Sequence, residues 1–208
     1  SSSAAAANPA ANPSFSSWNA VWVAYCDGTS YSGDRVGSVT SPGGVRLHYR
    51  GRANMRALVS NLLDRQGMSK ASHVLMDGGS AGGLTVLLHA DYFASMLPPS
   101  SQTKFGAIGD AGWFRPSSDL DVLNFTASMK TMMVASNASL NAECVAAHVD
   151  DPSACLFAPN VFPHLTSDMF VMEGAYMTLL LCLFSLSLCL PSTTNLTTTT
   201  TTNYVCTW

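Results

Sequence analysis

The serine in Gly78-Gly79-Ser80-Ala81-Gly82-Gly83 is the side chain best placed for covalent chemistry. Its Gly-x-Ser-x-Gly pattern sits between a short apolar run, His73-Val74-Leu75-Met76, and a helix-like stretch, Leu84-Thr85-Val86-Leu87-Leu88-His89. A strand that turns sharply into a helix strains the serine backbone and lifts its hydroxyl clear of the sheet. Gly78 and Gly82, two before and two after, are expected to keep side chains out of that turn. The N–H of Ala81 opens the helix, where an oxyanion could be held. The chemistry these residue types suit is nucleophilic attack on an acyl carbon.

A serine nucleophile of this kind needs an acid and then a histidine later in the chain. Spacing alone points to Asp110 as the acid, because it ends the next short strand, Lys104 to Gly109. His148 or His164 would then be the base. His89 and Asp91 fall on the helix after Ser80 and are expected to point away from it.

Positioning these groups requires a sheet and helices. Ala20 to Tyr25 reads as a strand, rich in β-prone Val21, Trp22 and Val23. Asp27 to Gly44 is loop-like, and Val45 to Arg50 is a short strand or edge segment. Asn54 to Gln66 has Met55, Leu58, Val59, Leu62 and Leu63 at helical spacing, with Gly67 as its cap. The helix after Ser80 is expected from about Gly82 to Leu97. Phe125 to His148 reads as one long helical excursion, its Met129, Met132 and Met133 suited to packing. Strand alternating with helix argues for an α/β fold with a mostly parallel sheet. In such sheets the chemistry lies at the carboxyl ends of the strands, where Ser80 and Asp110 both fall.

The 208 residues are 47% hydrophobic and 11% charged, enough for one domain with a core. A net charge of −3 gives no footprint for nucleic acid or an anionic membrane surface. The six cysteines include no Cys-x-x-Cys, and the histidines no His-x-x-x-His, so no metal and no cofactor is expected. Cys144 and Cys155 flank a polar segment and could close it as a disulfide; Cys26 has no obvious partner. Sequons at Asn124, Asn137 and Asn195 suit a secretory compartment.

Several ordered blocks resemble the plant pectin acetylesterases. They are Asn12-Pro13-Ser14-Phe15, Trp18 to Gly28, Tyr31-Ser32-Gly33-Asp34 and Leu47-His48-Tyr49-Arg50-Gly51. Gly78 to Gly83, Asp110-Ala111-Gly112-Trp113-Phe114 and Cys155 to Asn160 continue the series. The animal Notum carboxylesterases share the Ser-Ala-Gly-Gly and Gly-Trp-Phe blocks. The resemblance implies an α/β-hydrolase-like fold and a secreted serine esterase acting on acetylated, pectin-like cell-wall polysaccharide. It also implies Ser80 as nucleophile, Ala81 as oxyanion donor, Trp113 and Phe114 as pocket walls, and a Cys144–Cys155 bridge.

The resemblance departs from the spacing argument at the acid. In these relatives the acid follows an Ala-Tyr pair, whereas Ala175-Tyr176 is followed here by Met177. No segment matches the relatives' histidine or their second oxyanion donor. The organisation expected is a Ser/Ala-rich tail over 1–11, a partial esterase domain over 12–176, and a non-family tail over 177–208. That tail begins with an apolar run of 14 residues, Met177 to Leu190, short of the roughly 20 a membrane span needs, so membrane association is not expected. A Thr-rich tract follows. Little or no esterase activity is therefore expected of this chain, and an inactive homologue with at most a binding role is the alternative.

Overall fold

The computed structural model describes residues 8–116 and 124–174. The chain divides into two compact units, Ser1–Glu173 and Gly174–Trp208, and every strand and helix described lies in the first. The segments 1–7, 117–123 and 175–208, with Ala175-Tyr176, the apolar run and Asn195, lie outside the described residues.

Two short strands, β1 (Val39–Thr40) and β2 (Arg46–Leu47), pair antiparallel ahead of helix α1 (Gly51–Arg65). Then come β3 (His73–Gly79), α2 (Ala81–Ser95) and β4 (Lys104–Asp110). Helices α3 (Phe125–Ser136), α4 (Ala142–Ala147) and α5 (Ala158–Val161) follow, and β5 (Met169–Met172) closes the series. β3 and β4 run parallel, from His73 opposite Lys104 to Gly79 opposite Asp110. β5 joins the other side of β4, also parallel, with Asp110 opposite Met172. The order β3-β4-β5 is the α/β arrangement that alternating strand and helix require. Among the described residues β3 and β5 each pair on one side only, so the sheet is incomplete.

Helix α2 is the hub. It is apolar nearly all round, as an interior helix must be, and every residue from Gly83 to Ala90 is buried. Leu84, Leu87 and Leu88 pack against Cys144, Cys155, Ala158 and Val161. Val86 and Ala90 pack against Ala107 of β4. Each such leucine, fully buried, stabilises the fold by about 1.5–3 kcal/mol.

Three expected elements take a different form. Ala20 to Tyr25 makes no strand, and Val21, Trp22 and Val23 are exposed. β propensity alone forms no strand; a strand needs a ladder partner, and this segment is tied instead by side chains. The Tyr31 hydroxyl donates to the Ala24 carbonyl at 2.6 Å, and the Ser30 N–H donates to the Tyr25 hydroxyl at 2.9 Å. Of Val45 to Arg50, only Arg46–Leu47 pairs. The long excursion Phe125 to His148 is two helices. Asn137, at φ 51°, ends α3 in the left-handed conformation that closes helices. The Asn141 side chain then caps α4 by accepting from the Cys144 N–H at 2.9 Å.

Helix α1 begins three residues before its expected start. Its N-terminus is fastened by Asp27, whose Oδ2 accepts from the Gly51 N–H at 2.8 Å. A carboxylate there satisfies an orphan donor and opposes the helix dipole. Asp27 is buried, and it also accepts from the Thr29 N–H at 3.1 Å and from the Thr29 hydroxyl. No helix among the described residues is long and apolar enough to cross a membrane.

Candidate active site

Ser80 occupies the single residue between β3 and α2. Its φ of 56° and ψ of −118° lie where a non-glycine residue is strained by about 1–3 kcal/mol. The surroundings hold it there. The Ser80 N–H donates to the Asp110 carbonyl at 2.8 Å, and its own carbonyl accepts the first α2 bond, from the Leu84 N–H at 3.0 Å. The side chain makes no cap bond to the helix and Ser80 is exposed, so its hydroxyl is free of that role.

The glycines divide the work differently from the expectation. A methyl on Gly78 would strike the backbone of Gly82, but a methyl on Gly82 would meet nothing within 4 Å. Also crowded around this turn are Gly83, against the Asp110 carbonyl, and Gly112, against the backbone of Gly83 and Leu84. At this end α2 therefore meets the residues that end β4 backbone to backbone.

Ala81 opens α2. Its N–H belongs to the first turn, whose donors have no intrahelical acceptor. These donors and the helix dipole favour a negative charge beside Ser80.

The ends of the three strands meet here. Asp110 lies opposite both Gly79 and Met172. Ala111, at φ 49°, turns the chain outward and donates its N–H to the Met172 carbonyl at 2.8 Å. Trp113 follows, and its N–H donates to Glu173 Oε2 at 2.9 Å. Sequence reasoning missed Glu173; only the parallel pairing of β5 brings it to this end of the sheet. Trp113 meets Phe162 edge-on at 5.2 Å between ring centroids, and Phe114 lies 5.8 Å from Phe125. Both are partly buried against the cluster that includes Leu84.

The histidines suggested by spacing are engaged elsewhere. His148 caps α4, and its Nδ1 lies 3.0 Å from the Cys144 carbonyl. His164 meets the His148 ring edge-on, with centroids 6.1 Å apart. Among the described residues no histidine hydrogen-bonds Ser80 or Asp110. His89 faces away, buried beneath α1. Its Nδ1 lies 3.1 Å from Arg52 Nη1 and its Nε2 lies 3.0 Å from the Ser30 carbonyl. Arginine can only donate, so Nδ1 accepts and Nε2–H donates: the ring is neutral. Burial first, and then the Arg52 charge, push its pKa down to about 3. Asp91 also turns from the site, accepting from the backbone of Thr166 and Ser167.

Cys144 and Cys155 form a disulfide with Cα atoms 5.9 Å apart. Cys26, without an obvious partner in the sequence, is disulfide-bonded as well. Asn124 and Asn137 lie exposed at the two ends of α3.

A family model described as Pectinacetylesterase matches residues 1–198. The chain belongs to the pectinacetylesterase family. Pectin acetylesterase 5 of Arabidopsis thaliana is 33% identical over 180 residues, which is 81% of this chain and 39% of that protein. Palmitoleoyl-protein carboxylesterase notum2 of Xenopus laevis is 29% identical over 176 residues, 79% of this chain and 35% of that one. The chain spans about two fifths of the length of the curated pectin acetylesterases it matches. A crystal structure of the Wnt deacylase Notum from Drosophila superposes with a TM-score of 0.69 at 22% identity, covering 80% of this chain and 49% of that one. That likeness shows the fold, and the sheet here is part of an α/β-hydrolase-like one.

Proposed function

We propose that this pectinacetylesterase-family chain carries the nucleophile half of a serine carboxylic ester hydrolase that removes acetyl groups from pectin-like polysaccharide. The observation that carries the reading is Ser80 at φ 56° on the β3–α2 turn, with the first turn of α2 beside it. Ser80 Oγ attacks the acetyl carbon, the Ala81 N–H holds the oxyanion, and the sugar hydroxyl leaves. Water then releases acetate. Trp113 and Phe114 would wall the pocket. The relatives named pectin acetylesterase support the acetyl ester and the polysaccharide.

An extracellular or cell-wall location accords with the buried disulfide and the exposed sequon asparagines Asn124 and Asn137. Nucleic acid and membrane are not among the proposed partners. A tail boundary near 177 remains part of the proposal, although the family match runs on to 198.

One observation favours a second reading, an inactive homologue: no described histidine reaches Ser80. Removing a triad histidine costs about a millionfold in turnover. Acetate release from acetylated pectin, compared between the chain and Ser80→Ala, decides between the two. Ser80-dependent release supports the hydrolase; equal background rates in both leave the inactive homologue. Labelling of Ser80 by a fluorophosphonate probe reports whether its hydroxyl is activated as a nucleophile.

A further inference from the structure

A second group of reactive side chains lies away from Ser80, around the buried disulfide. His148 sits four residues after Cys144, and its Nδ1 is 3.7 Å from Cys144 Sγ and 3.8 Å from Cys155 Sγ. His164 arrives from the turn after α5, its ring edge-on to His148. Ligand atoms of Cys144, His148 and His164 all lie within 4.8 Å of one another. Cys155 Sγ is bonded to Cys144, so two sulfurs and two imidazoles converge.

Zinc with two thiolates at about 2.3 Å and two imidazoles at about 2.1 Å spaces its ligand atoms roughly 3.4–3.8 Å apart. The His148-to-sulfur separations already have that size. The two sulfurs must part, which breaking their bond allows, and His164, whose ligand atom lies within 4.8 Å of those of Cys144 and His148, must close in. Both cysteines are fully buried, as in structural zinc sites, while both histidines are half-buried. His164 also lines a cavity of about 350 Å³ with Asp91 and Glu143, whose carboxylates favour a cation on its way in.

We infer that in the dithiol form of the chain Cys144, His148, Cys155 and His164 bind one zinc ion, and that closing the disulfide expels it. The two states exclude each other, because a disulfide sulfur has no thiolate charge to give. Opening the bond takes two electrons and two protons. A phosphine supplies the electron pair and takes up the oxygen of water. Zinc then displaces both thiol protons. In reverse, a small disulfide accepts the electron pair, is reduced to two thiols, and the ion leaves. Ligation through Nδ1 replaces the hydrogen bond that His148 gives the Cys144 carbonyl. The sequence concealed this set, because its spacing, Cys144-x3-His148-x6-Cys155-x8-His164, matches no common zinc pattern.

The test uses the full chain, reduced with a phosphine or left oxidised, and equilibrated with zinc. The expected result is one zinc per reduced chain and none at this site in the oxidised chain. Cobalt in its place should show the visible spectrum of a tetrahedral sulfur–nitrogen site. Zinc should shield Cys144 and Cys155 from iodoacetamide, read peptide by peptide against the same reduced chain without zinc. The double variant His148→Ala, His164→Ala should lose affinity by orders of magnitude. Equal zinc affinity in that variant would overturn the inference, as would a reduced chain that takes no zinc. If the variant does not fold, the footprint on the unaltered chain decides: unshielded Cys144 and Cys155 also overturn it.

Discussion

The backbone N–H of Ser80 hangs on the carbonyl of Asp110 at 2.8 Å. The residue proposed as nucleophile is therefore positioned by the last residue of the neighbouring strand, and not by its own helix alone. Gly83 and Gly112 make this contact possible by letting two backbones touch. Gly83→Ala or Gly112→Ala should destabilise the fold by about 1–3 kcal/mol, the usual cost of forcing atoms into a packed site. Gly82→Ala, facing open space, should cost less than either. Urea unfolding of the three variants checks the order, and a Gly82 variant as unstable as the others would contradict it.

The strain at Ser80 has its own signature. Glycine adopts a φ of 56° without penalty, whereas alanine does not. Ser80→Gly should raise stability by about 1 kcal/mol, and Ser80→Ala should leave it nearly unchanged. Both should abolish fluorophosphonate labelling. Comparing unfolding midpoints with labelling separates the backbone effect from the loss of the hydroxyl.

Buried His89 makes stability depend on pH. Its pKa falls from 6.5 to about 3 in the folded chain. Between those values the unfolded chain holds a proton that the folded chain refuses. Stability should be constant above about pH 6.5 and decline as pH falls toward 3, by up to about 1.4 kcal/mol per pH unit. For Asp91, burial alone would raise the pKa, but its bonds from Ser167 and Thr166 outweigh that and hold it below 3.8. Asp151 is held below 3.8 by Lys130 and then Ser153. These carboxylates lose their contribution only below about pH 4, so between pH 6.5 and 4 the decline belongs to His89. His89→Gln should flatten the decline between pH 6.5 and 4. Denaturant titrations at several pH values measure it, and an unchanged slope would exclude His89 as its source.

The disulfide joins α4 to the turn before α5, across a sequence separation of 11, within the core cluster that also packs Met169 and Val171 of β5. Cys144→Ser or Cys155→Ser in the oxidised chain should cost about 2–4 kcal/mol. The surface pair Lys130–Asp151, at 2.8 Å with both side chains about half exposed, should matter far less. Lys130→Met should change stability by under about 1 kcal/mol. Thermal unfolding of the cysteine and lysine variants side by side tests the contrast.

Much of the elbow was legible in the chain. The run from His73 to Met76 and the apolar stretch after Gly83 specify a strand and an interior helix, because period and composition are local properties. The strand ending at Asp110 was legible for the same reason. Ala20 to Tyr25 shows the limit. Its β propensity is high, yet a strand is a relation between segments, and propensity does not supply the partner. The break between α3 and α4 was hidden because Asn137 ends the helix in a left-handed conformation that its neighbours do not announce.

The roles of the histidines were settled only by the fold. Spacing left His148 and His164 open as bases, and the chain brings them to each other and to a disulfide. Glu173 carries no motif and reaches Trp113 only because β5 adds beside β4. The sequence by itself determined the Ser80 turn, the alternation of strand and helix, and the family, since each is read from short runs of adjacent residues and their order along the chain. The tertiary structure decided which glycines are crowded, which histidine is buried and neutral, and which cysteines meet. Those depend on burial and on distances between residues far apart in sequence, and both exist only once the chain has packed.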